Sequence, residues 1–309
     1  MIVRQFQILL VALFVGLTSS GDPAVAESVN SMNFQTTLTV ARVSGNPRKH
    51  IPALDALGHY LASHLGDLGI ARHQLVLARD VAHLDELLRN GEADIVSETV
   101  FTALQLERSV GAELLLREWK SGVPTYHTVF FTRKDSGISA LSDLVGRTIA
   151  FEDPGSTSAY FVPMLTLRRE GLALFELETE ETDPADNAVN YRFAHSETSI
   201  AAWVARGRVD AGVLSNLDWS DPERMPIPMK SELEIFYETP GVIRSLLLVR
   251  GDLSPALKEG VRNVLTTMHE NEEGREVLSK YFKVARFDEL TGQARQDLDH
   301  AKLLLAELE

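Results

Sequence analysis

Three consecutive hydroxyl residues, Ser156-Thr157-Ser158, follow a Glu152-Asp153-Pro154-Gly155 turn and open an apolar helical pattern. Short hydroxyl side chains at a helix start sit beside backbone N–H groups that have no intrahelical partner. Those donors, with the positive end of the helix dipole, suit a tetrahedral oxyanion such as phosphate or phosphonate. The same residues also suit a plain N-cap with a Ser/Thr-rich first turn and no ligand. Pro163 in the same segment predicts a kink or an irregular early turn.

The elements around this turn alternate between short apolar β-type runs and helical patterns, which predicts an α/β fold. Leu38 to Val43 reads as a first strand, followed by a Ser44-Gly45-Asn46-Pro47 turn and a helix with Leu54, Leu57, Leu61 and Leu65 on one face. Leu75 to Ala78 reads as a second strand, and Leu84 to Arg89 as a helix closed by Asn90-Gly91. A strand at Asp94 to Val96, a helix from Thr99 to Arg108, and strands at Leu114 to Leu116 and Val129 to Thr132 follow. The unit restarts with the strand Thr148 to Phe151 that leads into the hydroxyl turn, and continues with a helix Glu197 to Arg206 and strands Val209 to Leu214 and Leu246 to Val249. The last 55 or so residues read as helical. Two such units joined by crossings near Tyr126 and Glu238 leave a cleft where ligands bind.

Composition narrows the function. The 309 residues carry 30 Lys+Arg against 44 Asp+Glu, a formal charge of -14, which argues against a nucleic-acid or anionic-membrane binder. Any bound anion must be held by a local site. With no Cys in the sequence, disulfides, thiolate metal sites, thiol nucleophiles and a lipid-modified N-terminal cysteine are excluded. Arg4, the apolar run Ile8 to Leu17 and the small-x-small sequence Ala24-Val25-Ala26 predict a secretory signal peptide over residues 1–26, cleaved near Ala26. The run is too short for the roughly 20 residues of a spanning helix, so the expectation is a periplasmic protein with no stable membrane insertion.

The segments Arg133-Lys134-Asp135-Ser136-Gly137-Ile138, Asp143-Leu144-Val145-Gly146-Arg147-Thr148-Ile149-Ala150 and Phe151 to Tyr160, with Gly207-Arg208-Val209-Asp210-Ala211-Gly212, resemble the phosphate, phosphite and phosphonate-binding proteins of bacterial ABC importers. These belong to the type II periplasmic-binding-protein superfamily. The resemblance implies a two-lobed fold with mixed sheets flanked by helices and a hinge of two crossings. One lobe would hold residues 27–125 and 238–309, the other 126–237. It also implies a monomer without cofactor or metal that captures a small oxyanion for an ABC permease. In this family the Ser-Thr-Ser turn grips the phosphonyl oxygens, which nominates Ser156, Thr157 and Ser158.

Other positions follow the family pattern in part. Tyr126 matches an aromatic residue that can close over a ligand, and reads equally as a core or hinge tyrosine. The family's histidine position falls on Glu197, with His195 displaced by two residues. A carboxylate beside an oxyanion would repel it unless paired with Arg or protonated. The carboxylates that would hold an aminoalkyl group fall near Asn216 and at Arg244-Ser245, which suits an anion without an amine; Arg244 also fits a solvated surface. Thr99 and Ser44 lie in turns that can face the cleft or serve only as caps. Glu98 needs a partner, for which Arg117, Trp119 and Lys120 are candidates; a solvated charged strand end is the alternative. Two other function classes stay open: a ligand sensor that presents its closed state to a membrane sensor kinase, and a hydrolase of phosphate esters. The second lacks a Gly-x-Ser-x-Gly elbow and a His-Glu-x-x-His motif.

Overall fold

The computed structural model describes residues 36–307 apart from Glu180; the leader read over residues 1–26 lies outside them. The described chain begins with β1 (Thr37–Val43), α1 (Pro47–His64), β2 (Arg72–Ala78), α2 (Val81–Arg89), β3 (Ile95–Glu98), α3 (Val100–Val110) and β4 (Glu113–Glu118). After β5 (Thr125–Tyr126) come β6 (Thr128–Arg133), β7 (Thr148–Phe151), α4 (Val162–Arg169), β8 (Leu174–Glu176), β9 (Val189–Phe193), α5 (Glu197–Ala205) and β10 (Ala211–Ser215). Then follow α6 (Asn216–Ser220), α7 (Ile227–Lys230), β11 (Leu233–Glu238), β12 (Val242–Ile243) and β13 (Ser245–Val249). The chain closes with α8 (Pro255–Thr267), α9 (Glu272–Lys280), β14 (Phe287–Asp288) and α10 (Gly292–Ala306).

These elements build two six-stranded mixed sheets, in the orders β14-β4-β13-β3-β1-β2 and β11-β6-β10-β7-β9-β8. The result is a two-lobed α/β fold with helices on the sheet faces, as the sequence predicts. In the first lobe β1, β2 and β3 run parallel while β13 and β4 run antiparallel to their neighbours. Its central strands are apolar on both sides because helices cover both faces. Leu54, Leu57 and Leu61 of α1 pack with Leu257, Val261 and Leu265 of α8 on one face. Leu84, Leu104 and Leu298, from α2, α3 and α10, share the core on the other.

In the second lobe β7 pairs in parallel with β9 and β10, and β6 lies antiparallel between β10 and β11. Gly212 in β10 is where α5 approaches the sheet most closely: a Cβ there would lie 2.6 Å from Ile200 and 2.9 Å from Phe131 and Val204. Gly212→Ala overpacks this core, and a loss of about 1–3 kcal/mol in urea unfolding is expected. An unchanged midpoint would show that α5 can shift away without cost.

Between the lobes a two-stranded antiparallel ladder joins β5 to β12, with Tyr126 opposite Val242 and Thr125 opposite Ile243. Asn216 braces the adjoining strand: its side-chain oxygen accepts the His127 N–H at 3.0 Å, and its own N–H donates to the His127 carbonyl at 2.9 Å. The parallel strands of both sheets end toward this ladder region, where open α/β sheets place ligands.

The differences from the sequence reading are in weak elements. The last segment is not wholly helical, because Phe287 and Asp288 form β14 against β4. Strands β8, β9 and β11 and helices α6 and α7 were not anticipated.

Candidate functional site

The hydroxyl turn begins where β7 ends at Phe151. Ser156 has extended backbone and caps the following turn, its Oγ accepting the Ala159 N–H at 3.1 Å. Residues Thr157–Phe161 then form a wide π-type turn before α4 starts at Val162. Pro163 falls in the first turn of α4, where its missing N–H costs no hydrogen bond. The irregular opening expected from Pro163 is therefore present. The wide turn tucks the Thr157 side chain inward, 1% exposed, and its Oγ1 has no hydrogen-bond partner. Ser158 is also buried, and its carbonyl accepts the Thr128 hydroxyl at 2.6 Å.

Tyr126 is buried in the ladder strand and lies against this turn. Burial pushes its phenol pKa up, while Arg244 beside it and the hydroxyls of Ser158 and Thr157 act the other way. The Arg244 guanidinium stacks 4.8 Å from the centre of the Tyr126 ring, and its Nε donates to the Lys120 carbonyl at 3.2 Å. Arg244 is thus a half-buried wall residue, which corrects the solvated-surface reading. The ring face and the carbonyl together fix the guanidinium plane.

Beyond Arg244 the wall continues with Lys120 and Arg42. Lys120 Nζ lies 4.6 Å and the Arg42 guanidinium 4.9 Å from the centre of the Phe282 ring. Arg42 is 8% exposed; its Nε donates to the Val43 carbonyl at 3.2 Å, and its Nη1 is buried without a partner. Lys120 is held well below the ordinary lysine pKa, first by burial and then by repulsion from Arg42 and Arg244, with Glu118 and Glu98 opposing.

Glu98 and Glu118 are themselves buried and satisfied by neutral donors. Glu98 accepts the Val43 N–H at 2.7 Å. Glu118 accepts hydroxyls from Ser97 at 2.9 Å, Ser245 at 2.7 Å and Tyr281 at 2.9 Å. The reading of a solvated charged strand end is overturned by this burial. Arg117 is not the partner of Glu98, because it is bonded to Asp288 at 2.7 Å and Asp297 at 3.0 Å.

The remaining sequence candidates have local partners. Thr99 is the N-cap residue of α3 but makes no side-chain cap bond. The first turns of α3 face the hydroxyl turn, with Thr102 Oγ1 donating to the Gly155 carbonyl at 3.5 Å and Phe101 against Phe161 at 5.5 Å between ring centres. Ser44 accepts the Asn46 N–H at 3.1 Å and bonds His50 Nδ1 at 2.7 Å, so it shapes its own turn. His195 adopts a left-handed backbone with φ 59°. Its side chain is 75% exposed and bonded to Asp153 at 2.7 Å, so it braces the Asp-Pro-Gly turn. Glu197 pairs with Arg224 at 2.6 Å, which meets the requirement that a carboxylate here be neutralised. Asn216 spends its side-chain oxygen on the strand beside the ladder.

Glu152, which the sequence reading treated only as a turn residue, is pushed up to about 8 by burial and by the charges of Glu197, Asp218 and Asp153, against the Ser156 hydroxyl that lowers it. Its surroundings thus favour the protonated carboxyl, which can donate a proton in a hydrogen bond. Arg42 was also missed, although a charged residue inside the apolar strand Leu38 to Val43 is a signal of its own.

The structure thus brings Ser156, Thr157, Ser158, Tyr126 and Arg244 together, and adds Lys120 and Arg42. Residues 44–294 match the family of periplasmic substrate-binding proteins of phosphonate ABC transporters. The chain belongs to this family. A Xanthomonas citri protein, XAC2383, solved bound to ATP and separately to chloride, is 32% identical; the alignment to its ATP-bound form covers 89% of this chain and 98% of that one, with a TM-score of 0.84. The phosphate-import protein PhnD of Mycolicibacterium smegmatis is 27% identical over 209 residues, 65% of this chain and 61% of that protein. The phosphonates-binding periplasmic protein of Escherichia coli is 26% identical over 213 residues, 66% of this chain and 58% of that protein. The chain therefore spans about three fifths of the length of these two curated relatives. Among the described residues of this family member, no group of three or more His, Asp or Glu side chains is placed to hold a metal ion.

Proposed function

We propose that this family member is exported to the periplasm, captures a small phosphorus oxyanion between its lobes and delivers it to an ABC permease. The observation that carries the reading is the buried Thr157 hydroxyl, a donor without a hydrogen-bond partner in a turn that meets Tyr126, over whose ring Arg244 lies. A buried polar group left unpaired costs free energy, and an oxyanion seated on the turn would satisfy it. The printed roles of the relatives, phosphate import and phosphonate binding, point to the same ligand class. The Xanthomonas relative was solved with two anions, one of them a phosphate ester. Capture would close the cleft by favouring the conformation in which both walls touch the ligand.

Thermal unfolding of the ligand-stripped protein tests this, since a ligand that binds only the native state raises the midpoint by mass action. The panel is phosphate, phosphite, methylphosphonate, 2-aminoethylphosphonate, sulfate and taurine. The expected result is a rise with at least one phosphorus oxyanion that exceeds the rise with sulfate or taurine. No rise with any phosphorus compound would end the reading. Binding is common to import and to sensing, so uptake of the identified ligand by cells with and without this gene separates delivery from signalling.

A further inference from the structure

We propose that the cleft takes a phosphorus oxyanion bearing a second anionic group, such as a diphosphate or a phosphonocarboxylate, with the first group on Ser156–Ser158 and the second on Arg42, Lys120 and Arg244. This rests on the function proposed above and deepens it.

The two halves of the site are continuous but separate. The hydroxyl turn meets the Tyr126 phenol, Arg244 covers the Tyr126 ring, the Arg244 Nε touches the Lys120 carbonyl, and Lys120 and Arg42 share the Phe282 ring.

Three basic side chains, Arg42, Lys120 and Arg244, lie near two buried carboxylates, Glu98 and Glu118, which offset part of their charge. Among the described residues, no carboxylate forms an ion pair with Arg42, Lys120 or Arg244. The nearby Glu98 accepts a backbone N–H, and both oxygens of Glu118 accept hydroxyls. Buried Arg42 Nη1 is an unpartnered donor at this end, as Thr157 Oγ1 is at the other. A buried guanidinium with an open donor is suited to a carboxylate or phosphate oxygen, which it binds with a charge-assisted hydrogen bond. An anion seated among these basic groups would add to the relief that Glu98 and Glu118 give and would favour protonated Lys120. An aminoalkyl chain would instead bring a fourth cation to this wall.

The test is titration calorimetry with phosphate, methylphosphonate, 2-aminoethylphosphonate, phosphonoacetate and pyrophosphate. Phosphonoacetate or pyrophosphate is expected to bind at least about tenfold more tightly than methylphosphonate, the ratio that one charge-assisted contact supports. Lys120→Met keeps the stem over Phe282 and removes the amine that a second anionic group would hold protonated. It is expected to weaken the doubly anionic ligand at least about fivefold more than it weakens methylphosphonate. Arg244→Gln gives a second reading of the same difference if the first variant folds poorly. Equal affinity for singly and doubly anionic ligands, tightest binding of 2-aminoethylphosphonate, or equal weakening of all ligands would overturn the proposal and leave oxyanion capture standing. No binding of any phosphorus compound would overturn both. A preference for only one of pyrophosphate and phosphonoacetate identifies which second group the wall fits and supports the proposal.

Discussion

Thr157→Val should bind its phosphorus oxyanion at least about tenfold more weakly than the native chain, yet unfold at the same or a higher temperature without ligand. The two side chains have nearly the same shape, and the change removes a hydroxyl that is 1% exposed and, although it lies near the Tyr126 phenol, makes no well-formed hydrogen bond. Leaving a buried polar group unmatched costs about 1–3 kcal/mol, so its removal relieves the empty protein. A hydrogen bond to a charged group is worth about 1.5–3 kcal/mol, so the same removal weakens an anion by about 10-fold to 150-fold. Thr157→Ser restores the hydroxyl and should restore binding. Few substitutions move stability and affinity in opposite directions, which makes this one decisive. Unchanged affinity would remove the turn from the ligand site. The double variant Ser156→Ala, Ser158→Ala should also lose binding, but it deletes the cap bond to Ala159 and so disturbs the turn itself.

The second large effect is on pH. Glu152 holds its proton up to about pH 8 in the native state, whereas its ordinary value is 4.5. Between those values the native protein binds a proton that the unfolded chain has released. Its contribution to stability is complete below about 4.5 and is lost as pH rises through about 8. The steepest loss one proton can give is roughly 1.4 kcal/mol for each pH unit. Glu152→Gln keeps a neutral hydrogen-bonding side chain and cannot ionise, so its stability should fall less between pH 6 and 9 than that of the native chain. Chemical unfolding of both proteins across that range measures the difference, in which the other titrating groups largely cancel. Parallel curves would show that Glu152 is ionised in the fold. The sequence reading left Glu197 two ways to sit near an oxyanion, pairing with Arg or taking a proton. The structure divides these between two residues, with Glu197 paired to Arg224 and Glu152 carrying the proton.

Much of the architecture was legible because the core elements have strong apolar patterns. β1, β7 and β13 come within a residue of the expected bounds, α1 carries Leu54, Leu57 and Leu61 of the expected apolar face but ends one residue before Leu65, and Gly91 with φ 72° ends α2 as its position implied. The elements that escaped notice lack such patterns. β9 contains Asn190, fully buried in the fold, which is accommodated because its side chain bonds the Ala185 N–H and the carbonyls of Ala185 and Arg147. β11 is only half-buried at the edge of its sheet, and β5, β12 and β14 are two residues each. The hydroxyl turn could be read because its chemistry is contiguous. The cationic wall could not, because Arg42, Lys120 and Arg244 come from three distant segments that meet only when β13 is inserted between β3 and β4. The expectation of a less acidic pocket at Asn216 and Arg244 named one of these three residues, and Lys120 was read only as a candidate partner for Glu98.

The ladder of residues 125–126 and 242–243 gives the ligand a mechanical advantage of an inverse kind. Tyr126 belongs to the ladder and Arg244 follows it directly, so the groups proposed to touch the ligand stand at the fulcrum. Levers move least there. The far arms are β2 and β8, the outer edges of the two sheets, and a rotation that displaces Tyr126 slightly sweeps them through a much longer arc. On the proposed function, a partner that feels these outer edges would receive a magnified report of a small chemical event at the ladder.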